Sequence, residues 1–204
     1  MKESPRHYER AFDRYLRSRR VPHVCVDEAR RLLLPIDRPA PSSSLKFFDY
    51  VVYGERENLL IELKGRRLPA SSRGTDPAGS VRPSSRLECW TTQDDITSLQ
   101  RWESLFGPPF IAMIVFVYWC EAEPKSALFQ EVFESDNRWY ALRSVRASDY
   151  AGCMRVRSPR WRTVDMDQPT FERISHPFTP AGAATTSTPP LEEVAHVLAF
   201  PPTR

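Results

Sequence analysis

Two short apolar runs constrain this chain most: residues 45–53, "LKFFDYVVY", and residues 59–64, "LLIELK", separated by "GEREN". Runs of this length, rich in aromatic and branched residues and split by a turn bounded by Gly54 and Asn58, read as two strands of a hairpin. Each run is broken by charge, Asp49 in the first and Glu62 and Lys64 in the second. Side chains alternate along a strand, so Glu62 and Lys64 share one face. Residues paired across a hairpin keep a constant sum of numbers. Asp49 and Glu62 sum to 111, which centres the turn between residues 55 and 56. The two carboxylates are therefore expected nearly opposite each other, with Lys64 one step further along.

Two close carboxylates repel, and each loses hydration at the edge of a core, so a cation between them stabilises the arrangement. Mg²⁺ (or Mn²⁺) suits two carboxylates, a backbone carbonyl and waters. Such an ion lowers the pKa of a bound water, and Lys64 is placed to position that water. A surface ion pair would explain Glu62 and Lys64 but would leave the matched position of Asp49 a coincidence. Leu59, Ile61 and Leu63 are expected on the opposite, core-facing side, and Gly65 where the chain leaves the sheet.

Helical periodicity appears on both sides of the hairpin. Tyr8, Ala11, Phe12, Tyr15 and Leu16 give one apolar face to a first helix, with Ser4 as N-cap and Pro5 opening it. In "TTQDDITSLQRWESLFG", Thr92 and Asp95 have capping-box spacing, Ile96, Leu99, Trp102 and Phe106 form a stripe, and Gly107 stops the helix. "HVCV" from His23 is a short strand candidate, and "FIAMIVFVYW" from Phe110 a strand buried on both faces. "ALFQEVFESDNRWYALRSV" reads as a hairpin turning at Asp136-Asn137, and "MRVRSPRWRTVDM" as a further strand. The order is α/β with a mixed sheet.

The longest apolar run is too short to span a bilayer, and the N-terminus lacks the apolar stretch of a signal peptide, so a cytoplasmic location and no membrane partner are expected. Cys25, Cys89, Cys120 and Cys153 have no metal-ligand spacing and read as small buried hydrophobes. Of 29 basic residues four are lysine, leaving 25 arginines, the side chain whose planar fork grips phosphate. Arg66, Arg67, Arg73, Arg82 and Arg86 follow Lys64 along residues 65–90, a Pro, Gly, Ser and Arg-rich loop suited to nucleic-acid phosphates. His7 lies beside Glu9 and reads as a helix histidine rather than a ligand. Trp119, Trp139, Tyr140 and Trp161 are candidates for stacking on unpaired bases, with packing the competing explanation.

The pattern of Asp49, then Glu62 and Lys64 as E-x-K, resembles the signature of the PD-(D/E)xK, or restriction-endonuclease-like, nuclease superfamily. The resemblance spans roughly Tyr8 to Tyr118, with Phe48 where many members carry Pro. It implies an αβββαβ core in which Asp49 and Glu62 hold Mg²⁺, with Lys64 as the catalytic partner. It also implies Glu9 of the first helix and Gln100 of the second as supporting catalytic residues, the latter in a pattern of Holliday-junction-resolvase-like members. "HYERAFDRYLR" resembles an uncharacterised bacterial family named for its His-Tyr-Glu-x-Ala-Phe-Glu (HYExAFE) motif, with Asp13 replacing the final Glu.

The expected organisation is a nuclease-like core over 1–120, a β-rich extension over 121–175 packed on it, and a Pro, Thr and Ala-rich flexible tail over 176–204. The expected function is metal-dependent hydrolysis of nucleic-acid phosphodiester bonds, with DNA the expected substrate and a homodimer the expected assembly. The alternative is a catalytically silent nuclease fold that binds nucleic acid or protein.

Overall fold

The computed structural model describes residues 7–26, 45–69, 86–121, 129 and 132–178 of the 204-residue chain. The first part runs α1 (His7–Ser18), β1 (His23–Cys25), β2 (Tyr50–Val52), β3 (Asn58–Leu68), a two-residue β4 (Thr91–Thr92), α2 (Gln93–Phe106) and β5 (Phe110–Cys120). Leaving β4 aside, this is the expected αβββαβ order. The chain continues through β6 (Val132–Ser135), β7 (Arg138–Arg146), α3 (Ala147–Cys153), β8 (Arg155–Ser158), β9 (Thr163–Asp165), α4 (Gln168–Ile174) and β10 (His176–Pro177).

The central sheet has the strand order β1-β2-β3-β5-β7-β10, with β6 also paired to β7. It is mixed: β3 and β5 are parallel, and the other neighbours are antiparallel. A parallel pair needs a crossover, which α2 provides between β3 and β5. The hairpin register is the one the residue numbers require, Tyr50 opposite Ile61 and Val51 opposite Leu60.

Both faces of the sheet are covered, because β3 and β5 place apolar side chains on each. Leu59, Ile61, Leu63, Val115 and Val117 pack under α1, which presents Ala11, Phe12, Tyr15 and Leu16. Leu60, Ala112, Ile114 and Phe116 pack on the other face with Ile96 and Leu99 of α2, Tyr150 of α3 and Phe171 of α4. Burying one such large apolar side chain contributes about 1.5–3 kcal/mol, so these two layers fix how the helices sit on the sheet.

Gly65 does not end the strand, since β3 continues to Leu68. A Cβ at Gly65 would lie 2.2 Å from the Tyr8 ring. The Tyr8 ring of α1 lies directly over the glycine, and only a hydrogen fits there.

The Asp136-Asn137 turn has φ of 52° and 56°, the paired positive values of the tight turn that suits a twisted two-residue hairpin. The "MRVRSPRWRTVDM" segment folds as two strands, and β8 and β9 form a three-stranded sheet with β4 in the order β4-β9-β8. β10 pairs with β7, and Phe178 is 1% exposed, so the core reaches into the segment expected to be tail. No helix among the described residues is long and apolar enough to cross a membrane. All four cysteines are free, Cys89 and Cys120 buried, Cys25 and Cys153 half-buried.

Candidate functional site

The charged residues of the hairpin meet where β2 begins. One residue before the first β2–β3 pair, the Asp49 carboxylate takes over from the backbone ladder, and its Oδ2 accepts from Leu63 N at 2.7 Å. On β3, Glu62 is 5% exposed, and its Oε1 accepts from Lys64 Nζ at 2.6 Å. Lys64 lies two residues further on the same face, as strand alternation requires.

Two residues join this group that the spacing of the hairpin did not reveal. Asp95, in the first turn of α2, is 1% exposed. Its Oδ2 lies 2.7 Å from Lys64 Nζ and accepts from Thr91 Oγ1 at 2.7 Å and Thr92 N at 3.1 Å. The capping box between Thr92 and Asp95 is present as expected. The same carboxylate that caps the helix therefore also braces the lysine. Its charge is further stabilised by the helix N-terminus. Lys46 donates to both Glu62, at 3.3 Å, and Asp95, while its backbone carbonyl accepts from Trp102 Nε1 at 2.8 Å. Signals for both were present but already explained: Asp95 by its cap, and Lys46 by its place at the start of a strand.

Glu9 is exposed on α1, one turn before the packed Phe12, and its backbone carbonyl accepts from Tyr50 Oη at 3.2 Å. That bond sets α1 beside β2, and the Glu9 charge acts on Asp49. Burial, the Glu62 charge and then the Glu9 charge raise the Asp49 carboxyl to about 7, against the Leu63 hydrogen bond and Lys64, which lower it. Lys64 is itself lowered by burial, with Glu62 opposing that shift.

The remaining expected residues lie elsewhere. Gln100 is exposed on α2. Five residues from Asp95, it stands about 140° around the helix from the side chain that faces the lysine. Arg66 is not presented to phosphate: it is 8% exposed, stacked with its Cζ 3.9 Å from the Trp90 ring centroid and donating to the Gly65 and Trp90 carbonyls. Strand alternation carries it inward, on the face of Glu62 and Lys64 but beyond them. Arg67 points to the opposite face and pairs with Glu121. Arg86 is exposed and donates to Met166 O at 3.3 Å. Arg73 and Arg82 lie outside the described residues. His7 is buried against Tyr140, its Nδ1 2.9 Å from the Tyr140 Oη, which removes both from stacking or ligation. Asp13, the departure from the HYExAFE motif, pairs with Arg17 and His23.

As a cation site, the group offers two carboxylates. Among the described residues no three His, Cys, Asp or Glu side chains converge on one point. Asp49 Oδ1 and Glu62 Oε2 accept no hydrogen bond from the described residues, and the carboxylates of Glu9, Asp49, Glu62 and Asp95 outnumber the two ammonium groups by two. A divalent ion that keeps several waters needs only one or two carboxylates, so Asp49 and Glu62 fit it.

No family model matches the chain, and no curated protein matches it. A solved structure of Hjc, a Holliday junction resolvase from the archaeal hyperthermophile Archaeoglobus fulgidus, overlaps 83% of this chain and 93% of its own, with 14% identity and a TM-score of 0.46. The overlap is loose, and the site described above stands on its own geometry.

Proposed function

We propose that this chain is a metal-dependent nuclease of the PD-(D/E)xK kind, hydrolysing nucleic-acid phosphodiester bonds, with DNA the expected substrate. The observation that carries the reading is Lys64, a lysine sunk between Glu62 and Asp95 with Asp49 beyond them. A buried ammonium costs several kcal/mol unless it is paired and hydrogen-bonded, and here two elements supply its partners. In this reading Asp49 and Glu62 hold the ion, which when bound activates water and neutralises charge on the phosphoryl oxygens. Lys64, held by two carboxylates, orients the attacking water and faces the negative charge that grows on phosphorus. Asp95 acts as a positioning residue for Lys64, and Glu9 adds negative charge at the rim. The resemblance of the first helix to the HYExAFE family rests on its own residues.

The test is cleavage of plasmid, branched and single-stranded DNA with Mg²⁺ or Mn²⁺. Lys64→Ala should lower the rate by about 100- to 1000-fold, the usual loss when one preorganised donor is removed, while binding in EDTA is retained. Cleavage unchanged in that variant removes Lys64 from the mechanism.

A second reading, a catalytically silent nuclease fold, draws on Lys46. Its ammonium already neutralises Glu62 and Asp95 together, as a bound cation would. Calorimetric titration separates the two readings: Mg²⁺ binding that disappears in Asp49→Asn favours the enzyme, and no binding at all favours the silent fold.

A further inference from the structure

The hairpin of β8 and β9 plays no part in the site so far, yet its composition and exposure single it out. Residues 155–162 read RVRSPRWR, four arginines with no acidic residue among them. Among the described residues Trp161, at 69%, is the most exposed large apolar side chain, followed by Val156 and Leu105 at 66% each. A tryptophan left this open is not packing a core. Among the described residues, the acids that meet this hairpin are Asp165, which pairs with Arg155 at 3.3 Å and Arg157 at 4.0 Å, Asp94, which pairs with Arg162 at 2.9 Å, and Asp167, whose charge is felt by Arg155. Four arginines against these three acids leave the surface basic. Arg160 lies over Trp161, its Cζ 5.3 Å from the ring centroid.

The hairpin is also anchored to the site. Thr163 and Val164 of β9 pair with Thr92 and Thr91 of β4, and Gln93 N donates to Arg162 O at 2.8 Å. Arg162 is therefore bonded to the helix turn that carries Asp95. Trp90 also links the two: Arg66 Cζ lies 3.9 Å and Arg157 Cζ 5.5 Å from its ring centroid, and Val164 is buried. Arg162 has φ of 48°, a left-handed conformation unusual for arginine and held here by its partners on α2. The arms are thus fixed, and Trp161 precedes the residue, Arg162, whose carbonyl is bonded to Gln93, two residues before Asp95.

We propose that the β8–β9 hairpin grips a single-stranded stretch of nucleic acid next to the candidate cleavage site, with an unpaired base stacked on Trp161 and Arg155, Arg157 and Arg160 on its phosphates. The proposal deepens the nuclease reading and rests on it for the identity of the polymer. Every base offers a π-face, so a lone exposed indole among arginines recognises unpaired strand without reading sequence. An intact duplex offers no such face. The geometry therefore favours substrates that carry unpaired bases next to the scissile bond.

The test measures binding in EDTA, where no cleavage occurs, by anisotropy of labelled single-stranded DNA, single-stranded RNA and duplex DNA. Trp161→Ala should weaken single-strand binding by about 5- to 150-fold, from the 1–3 kcal/mol of one base–aromatic stack, and duplex binding by much less. Trp161→Phe should restore most of the loss. Arg160→Ala should reduce the slope of log affinity against log salt by about 0.7, one phosphate contact on a single strand. Neither side chain is in the core, so the melting temperatures should match the parent. Single-strand binding by Trp161→Ala equal to the parent overturns the proposal, as does a parent that binds neither single strand. The two readings fail separately. Loss of binding in Trp161→Ala supports the hairpin even if Lys64→Ala still cuts, and unchanged binding removes the hairpin even if Lys64→Ala is dead.

Discussion

At the scale of single residues, Asp49 is the group whose state depends most on conditions. Without a metal its carboxyl is raised from 3.8 to about 7, chiefly by burial and then by Glu62 and Glu9. Between those values the folded chain keeps a proton that the unfolded chain has lost. Stability of the metal-free protein should therefore be greatest at the acid end of this window and fall as pH rises through about 7. Urea unfolding in EDTA at pH 5 and pH 8 checks this. Asp49→Asn, which can still accept from Leu63 N, should flatten the decline relative to the parent; equal slopes in both proteins would show that Asp49 is not its source. Asp49, Glu62 and Lys64 were legible because each interrupts an apolar strand at matched register. Asp95 and Lys46 were not, because a residue that already satisfies a local rule leaves no anomaly to notice. Gln100 stands apart from the cluster for a related reason: a motif fixes position along a helix, while burial fixes direction around it.

At the scale of elements, the approach of α1 to β3 decides whether Glu9 sits near Asp49. The contact is the Tyr8 ring against Gly65, where an added Cβ would be 2.2 Å from a ring carbon. Gly65→Ala must therefore push the ring or the helix away. Overpacking of this kind costs about 1–3 kcal/mol, and thermal or urea unfolding should show a loss in that range, with Tyr8→Ala restoring part of it in the double variant. A Gly65→Ala protein as stable as the parent would mean that Tyr8 turns aside freely. The first helix, the hairpin, the capped second helix and the buried β5 were readable because each has a full period or a cap in its residues. α3 and α4, at seven residues each, are too short to show a repeat, and only the Asp167 N-cap with Pro169 behind it marks the start of α4. The β8–β9 hairpin was read as one strand because its turn residues, Pro159 to Arg162, include no glycine and Arg162 takes the positive φ instead.

At the scale of the whole molecule, the resemblance in sequence motifs ends near Tyr118, but the sheet does not. β7 pairs with β5 from Met113 to Cys120, and it brings Tyr140, Leu142 and Val145 into the two core layers. Phe171 of α4 and Phe178 after β10 close those layers from opposite faces, each 1% exposed or less. A chain cut after Glu121 would lose all of these and leave β5 as a long apolar edge, the arrangement most prone to pairing with another copy. Five large side chains at about 1.5–3 kcal/mol each come to as much as a typical domain's entire stability of about 5–15 kcal/mol. The truncated chain should therefore fail to fold: no cooperative melt by circular dichroism, and elution as aggregate on size exclusion. A cooperative transition within a few degrees of the full chain would show instead that residues 7–121 hold their own core. In that case the metal binding proposed for the Lys64 cluster should survive, while single-strand binding through Trp161 should vanish with the hairpin. The same truncation thus reads out whether the grip and the candidate cleavage site are separable parts of one sheet-built molecule.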